Sequence, residues 1–217
     1  MKLDIRRELK LLYNRAVFGR LIVYDLPNKK GNDELENLKR ELEKEIREEY
    51  PDVDKDQVIR SYDTYFKKWN KTYPIEFQIK TIKSGRQFPR VSALVDSMFL
   101  SELRNRILTS GHDLDSIQGE LLYDVSDEGE KYTKLNGKEQ MLPRSDIVLR
   151  DTDGILASVL YGPARRTSIK NDTENAIYLA WCPYSLGFDA IKEHLVDIIS
   201  NLEVVYGHFK YETRILE

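Results

Sequence analysis

The chain has 217 residues, 41% hydrophobic and 33% charged, which suits one large domain (1–217) or one domain with an extension and is enough to bury a core. A formal net charge of −3 excludes a general polyanion binder and confines any nucleic-acid contact to a local basic face. One cysteine, Cys182, excludes an intrachain disulfide and a multi-cysteine metal site; with no signal-peptide core in MKLDIRRELK and no run near the roughly 18 apolar residues of a membrane span, the expected location is cytoplasmic.

In chain order, residues 1–18 carry Leu3, Ile5, Leu9, Leu11, Leu12 and Val17 among basic residues and predict an opening helix, followed by a short strand at 21–24. After the loop 26–32, Asn32 or Asp33 caps a helix with Leu35, Leu38, Leu42 and Ile46 on one face, ended by Pro51. Its other face, with Glu41, Glu43, Lys44, Glu45, Arg47, Glu48 and Glu49, reads as solvated. Asp54 or Asp56 caps the next helix, whose stripe of Val58, Ile59, Tyr62, Tyr65, Phe66 and Trp69 has core spacing. Pro74 starts another helix, stopped by Gly85, and 92–106 reads as a further one. Between residues 60 and 106 there are ten Lys or Arg against four Asp or Glu. Lys67, Lys68, Lys71, Arg86 and Arg90, interleaved with Tyr65, Trp69, Tyr73 and Phe88, have the composition of a surface that follows phosphates and stacks bases; the alternative is a solvated face balancing the acidic helix.

Residues 109–115 are rich in turn formers and predict a polar loop before a strand at 120–125. His112 lies there between Ser110, Gly111 and the carboxylates Asp113 and Asp115, which could orient its ring or raise its pKa. A meander of short strands follows, with 131–135, 147–149 and 155–160 bounded by Asp-Gly and Gly turns. The polar segment Tyr161-Gly162-Pro-Ala-Arg165-Arg166-Thr167 then lies between buried strands, as a binding rim does, before an apolar run at 176–181. A helix over 188–199 and a strand over 203–210 close the chain. Helices first and strands in the middle predict an α+β fold, a strand sandwich flanked by helices, with 1–59 as an N-terminal extension packed on the region 60–200.

Leu94-Val-Asp-Ser97, His112-Asp-Leu-Asp-Ser-Ile-Gln-Gly119, Glu128 to Gly137, Asp146-Ile-Val-Leu149, Asp153-Gly154, Tyr161-Gly162 and Thr173-Glu-Asn175 occur in an order that resembles the B3/B4 domain of the phenylalanyl-tRNA synthetase beta subunit, above all its free-standing form. The resemblance implies the same α+β sandwich and an editing module that hydrolyses the ester of a mischarged aminoacyl-tRNA in trans. It is carried residue by residue. The family's His-Ala-Phe-Asp motif lines up with Ser110 to Asp113, so the aspartate matches Asp113 while the histidine falls on Ser110 and His112 lies two places later. The glutamate that reads a tyrosine hydroxyl, in the family's Asn-Val-Leu-Leu-Glu, lines up after Asn175 with Leu179, so tyrosine selectivity is not implied; a Met-Gly-Gly loop becomes Tyr161-Gly162-Pro163.

No Gly-rich phosphate loop, Gly-x-Ser-x-Gly, Cys-x-x-Cys or His-Glu-x-x-His is present, so no cofactor and no metal are expected. An aminoacyl ester needs only a positioned water and oxyanion donors. Backbone amides near Gly162, or near Gly111 and His112, are candidates for those donors, with His112 and Asp113 as the catalytic pair. Ser110, Gly111, Tyr161, Gly162, Thr167 and Asn175 would line the substrate site, and Arg165 and Arg166 would hold the phosphates of a tRNA acceptor end. The alternative is a non-catalytic tRNA or amino-acid binding module of the same fold.

Overall fold

In the computed structural model, which describes residues 1–48, 56–184 and 186–217, the apolar runs form two sheets packed face to face, with helices on the outside. The chain runs β1 (Leu3–Ile5), α1 (Arg7–Leu12), β2 (Val17–Val23), α2 (Asp33–Glu48), α3 (Gln57–Phe66), α4 (Pro74–Lys83), α5 (Ala93–Asn105), β3 (Thr109–Asp113) and β4 (Leu121–Val125). It continues with β5 (Lys131–Thr133), β6 (Glu139–Met141), β7 (Ile147–Asp151), β8 (Gly154–Ser158), β9 (Gly162–Pro163), β10 (Ala176–Cys182), α6 (Phe188–Tyr206) and β11 (Tyr211–Leu216). One sheet has the order β1-β4-β7-β8-β9, the other β11-β2-β10-β3, and β5 and β6 pair as a hairpin.

The two faces of β2 and β10 explain why every residue in both strands is buried. Phe18, Ile22, Ile177, Leu179 and Trp181 belong to the cluster that includes Leu121, Tyr123, Ile147 and Leu149 of the facing sheet. Leu21, Val23, Tyr178 and Ala180 turn the other way and pack with Leu94 and Met98 of α5 and Ile191 and Leu195 of α6. Each such side chain stabilises the fold by about 1.5–3 kcal/mol on leaving water. Gly19 lets α6 approach: a Cβ there would stand 2.6 Å from Ile191 Cγ2. The result is an α+β sandwich flanked by helices, and β2, from the first part of the chain, is one of its two central strands. Among the described residues no helix is long and apolar enough to cross a membrane.

Several local signals act as read. The Asn32 side chain accepts from Leu35 N–H, Asp56 accepts from Val58 and Ile59 N–H, and Pro74 opens α4. Glu49, Asp54 and the stop at Pro51 lie outside the described residues. Other expectations are corrected. The opening helix shrinks to α1, because Leu3 and Ile5 pair with β4 and Val17 already belongs to β2. Glu43 is not solvated: it is buried and accepts from Arg40, Arg47 and Phe88 N–H. Residues 109–113 are strand, since their partners on β10 override their turn propensity. At the end of the chain α6 runs through Tyr206, burying Asn201 and Leu202, and Gly207 at φ 68° ends it, so the last strand begins at Tyr211.

Candidate functional site

β3 is an edge strand whose outward side faces a hollow in the protein. Leu114 N–H donates to Asn175 O and Trp181 N–H to Leu108 O, and the register between them alternates. Ser110 and His112 therefore exchange their backbone bonds with β10, while Thr109, Gly111 and Asp113 turn theirs away. The outward Thr109 N–H donates to Glu102 Oε1 at 2.6 Å. Burial pushes the Glu102 carboxyl up to about 8. The N–H and C=O of Gly111 are thus not spent on β10.

That peptide opens into a cavity of about 360 Å³. Val91, Val95, Met98 and Phe99 form one wall, Thr109, Ser110 and Gly111 another, and Leu135, Pro163, Ser168 and Ile169 the rim. The lining is mostly apolar, and it includes no ionisable side chain. A side chain at 111 would be tight, since a Cβ would stand 3.0 Å from Ile169 Cδ1 and 3.1 Å from Met98 Sδ, both of which would have to give way. Among the described residues no group of three or more His, Cys, Asp or Glu side chains is placed to hold a metal ion.

The expected environment of His112 is overturned. It lies in a strand, fully buried, with Nδ1 2.9 Å from Thr167 Oγ1 and Nε2 3.1 Å from Ser110 Oγ. Burial, and then the nearby Arg166 charge, lower its pKa to about 3 rather than raising it. The carboxylates point elsewhere: Asp113 accepts from Asp115 N–H and Ser116 Oγ, and Asp115 accepts from Asn175 Nδ2. Asp113 thus turns the chain, and Asn175 braces that turn, also accepting from Asp25 N–H. Ser110 Oγ accepts from Trp181 Nε1 inside the sandwich, and Leu179, its partner across the ladder, is wholly buried in the core.

The rim residues divide. Arg166 Nη1 donates to Asp151 Oδ2 at 3.0 Å and Nη2 to Asp151 Oδ1 and Gly154 O, so its fork is filled from within. Arg165 is exposed; a Cβ on Gly137 would stand 2.9 Å from its Nη1, which sets the guanidinium against the β5–β6 turn that also carries Leu135. Gly162 has φ 83°, and Tyr161 beside it receives Lys71 Nζ 4.4 Å and Lys134 Nζ 5.9 Å from its ring centre.

The basic block is not one row of free cations. Lys68 Nζ stands within 6 Å of the rings of Tyr13, Tyr65, Trp69 and Tyr184, and Lys67 pairs with Asp63. Arg90 pairs with Asp33 on α2, and Arg86 accepts from Arg47 through its carbonyl, against different elements from the lysines. Tyr65, Tyr73 and Phe88 are buried and offer no stacking face. Sequence reasoning missed the cavity wall on α5 and the Glu102 cap. Helical spacing does mark Val95, Met98 and Phe99 as an apolar face, but nothing local says that it faces a hollow.

A solved N-terminal fragment of the phenylalanyl-tRNA synthetase beta subunit from Pyrococcus horikoshii has a similar fold, with a TM-score of 0.50 at 12% identity over 99% of this chain and 50% of the fragment. The chain thus spans about half the length of that fragment. No curated protein sequence matches. The B3/4 domain profile matches residues 60–182, more than half of the chain, with β3, the cavity rim and β10 inside the match, and the chain belongs to the B3/4 domain family.

Proposed function

We propose that this B3/4 domain receives the aminoacyl end of a tRNA, seats an apolar side chain in the cavity beside β3 and hydrolyses the ester in trans. The observation that carries the reading is Gly111, whose backbone N–H and C=O are turned away from β10 on the wall of an apolar hollow. An apolar side chain entering such a hollow gains about 25 cal/mol per Å² removed from water. A backbone N–H fixed beside it stabilises the negative oxygen that develops as water adds to the ester carbon, before the ribose oxygen leaves with the proton. Outside the cavity Lys134 and Lys71, set over the Tyr161 ring, and the exposed Arg165 against the β5–β6 turn suit the terminal phosphates and an unstacked base.

His112 enters as a positioning residue, joining β3 to the segment that carries Thr167 and the cavity rim. Its low pKa leaves it neutral and weakly basic near pH 7. This sealing favours a second reading, a binding module of the same fold without catalysis. The two separate in one experiment, in which the purified chain is given tRNAs charged with phenylalanine, leucine, isoleucine or tyrosine. Hydrolysis of the apolar esters above the spontaneous rate, lost in Gly111→Val, is the expected outcome. Stable esters together with binding of a non-hydrolysable amide analogue would select the module, and the absence of both would end both readings.

A further inference from the structure

β11 closes the four-stranded sheet at the end opposite β3, and among the described residues it pairs only with β2. Tyr24 N–H donates to Lys210 O, and the register continues from there. Glu212 and Arg214 therefore spend their backbone groups on β2, while Tyr211, Thr213 and Ile215 point theirs outward along an open edge.

The side chains of this edge are arranged as the complement of their own sequence. Read antiparallel about Thr213, Tyr211-Glu212-Thr213-Arg214-Ile215 sets Glu212 opposite Arg214, Tyr211 opposite Ile215 and Thr213 opposite itself. The backbone phase agrees, since outward groups at 211, 213 and 215 meet their equals in hydrogen-bonded pairs, and 212 with 214 becomes the closer, non-hydrogen-bonded pair. Both faces gain. On one, Arg214 is exposed across the ladder from Arg20, which the chain's own Glu212 meets at 3.5 Å while also accepting from the Tyr24 hydroxyl; a second copy's Glu212 would set its carboxylate opposite Arg214. On the other, Tyr211, Thr213 and Ile215 flank a groove of about 340 Å³ against α6, where Phe188 and Val196 are exposed. Tyr211 of the second copy would lie on Ile215 there.

We propose that the occupant of this edge is a second copy of the chain, joined β11 to β11 about a two-fold axis at Thr213, making one eight-stranded sheet across the dimer. The charges on the strand do not forbid this pairing; they select its antiparallel register, because a parallel in-register pair would set Glu212 on Glu212 and Arg214 on Arg214. The interface leaves the cavity beside β3 at the far end of the sheet, so it stands whatever that cavity binds.

The test is the mass of the full chain in solution by analytical ultracentrifugation over a concentration series. The wild type is expected to sediment as a dimer that dissociates on dilution. Thr213→Pro removes an outward N–H without touching the ladder to β2 and should give a folded monomer that melts where the dissociated wild type does at low concentration. Glu212→Arg and Arg214→Glu, each alone, should raise the dissociation constant by at least about 10-fold, since each sets like charges at both symmetric positions. Mixed in equal amounts, these two variants should re-form a dimer, because each then meets its opposite. A wild type that stays monomeric at about 1 mM, the weak limit of specific association, would overturn the proposal. So would a dimer that survives Thr213→Pro, or variants whose mixture is no tighter than either alone.

Discussion

β3 and β11 close the same four-stranded sheet at opposite ends, and each turns alternate backbone groups away from its neighbour. At β3 those groups are partly roofed: α5 and the segment 163–169 flank them, Glu102 caps Thr109 N–H, and Gly111 lies on the wall of an apolar hollow. At β11 nothing in the described residues stands over them, and the side chains between are charged. One backbone requirement thus gives a site the size of a small molecule where it is covered and a seam the length of a strand where it is not.

The largest effect expected from breaking this contrast is at Glu102. Replacing it with Ala strands a buried N–H and leaves a hole, which should cost about 3 kcal/mol in chemical denaturation. The same group sets a pH dependence. The Glu102 pKa is raised from 4.5 to about 8 and that of Asp146, also buried, from 3.8 to about 7, so their stabilising protonated forms are fully present below the unfolded values and lost as pH rises through the folded ones. His112 and His194 work the other way: lowered from 6.5 to about 3 and about 4, they hold stability that is present above pH 6.5 and lost as pH falls. The two pairs oppose each other below pH 6.5, and above it only the carboxyls act. Stability should therefore fall between pH 6.5 and 8 by on the order of 2 kcal/mol, and Glu102→Gln should remove most of that slope.

A smaller effect is expected from filling the opening at β3. Gly111→Val drives a branched side chain against Ile169 and Met98 and should cost about 1–3 kcal/mol by denaturant midpoint while abolishing ligand binding in the cavity. The smallest belongs to the bare edge. Thr213→Ala removes a mostly exposed side chain that roofs nothing, so the thermal stability of the monomer should change by less than about 0.5 kcal/mol. A large loss there would mean that β11 is also braced within the chain, and the contrast between the edges would narrow.

These two edges also mark where sequence reasoning succeeds and where it stops. Caps at Asn32 and Asp56, the Pro74 start, the Asp153-Gly154 hairpin and the run at 176–181 are local, and each is found where its chemistry puts it. Thr-Ser-Gly-His-Asp reads as a loop because its residues favour turns; it is strand because β10 pairs with it and α5 shields it, neither of which is a local property. The partners of His112 show the same limit. The carboxylates at its side in sequence point away, and its ring meets Thr167, 55 residues on. Arg166 looked free for the same reason, until Asp151 supplied its partner through the fold.

The placement of β2 has a consequence for how the chain is made. Val17–Val23 lies far ahead in sequence of both its ladder partners, Ala176–Cys182 and Tyr211–Leu216. A growing chain therefore carries β2, apolar except for Arg20, without a ladder partner until β10 has been made, and the sheet forms only by closing a loop of that length. Completion of the sheet depends on the six-residue β11, and a copy lacking it would leave one edge of β2 bare as a template for aggregation.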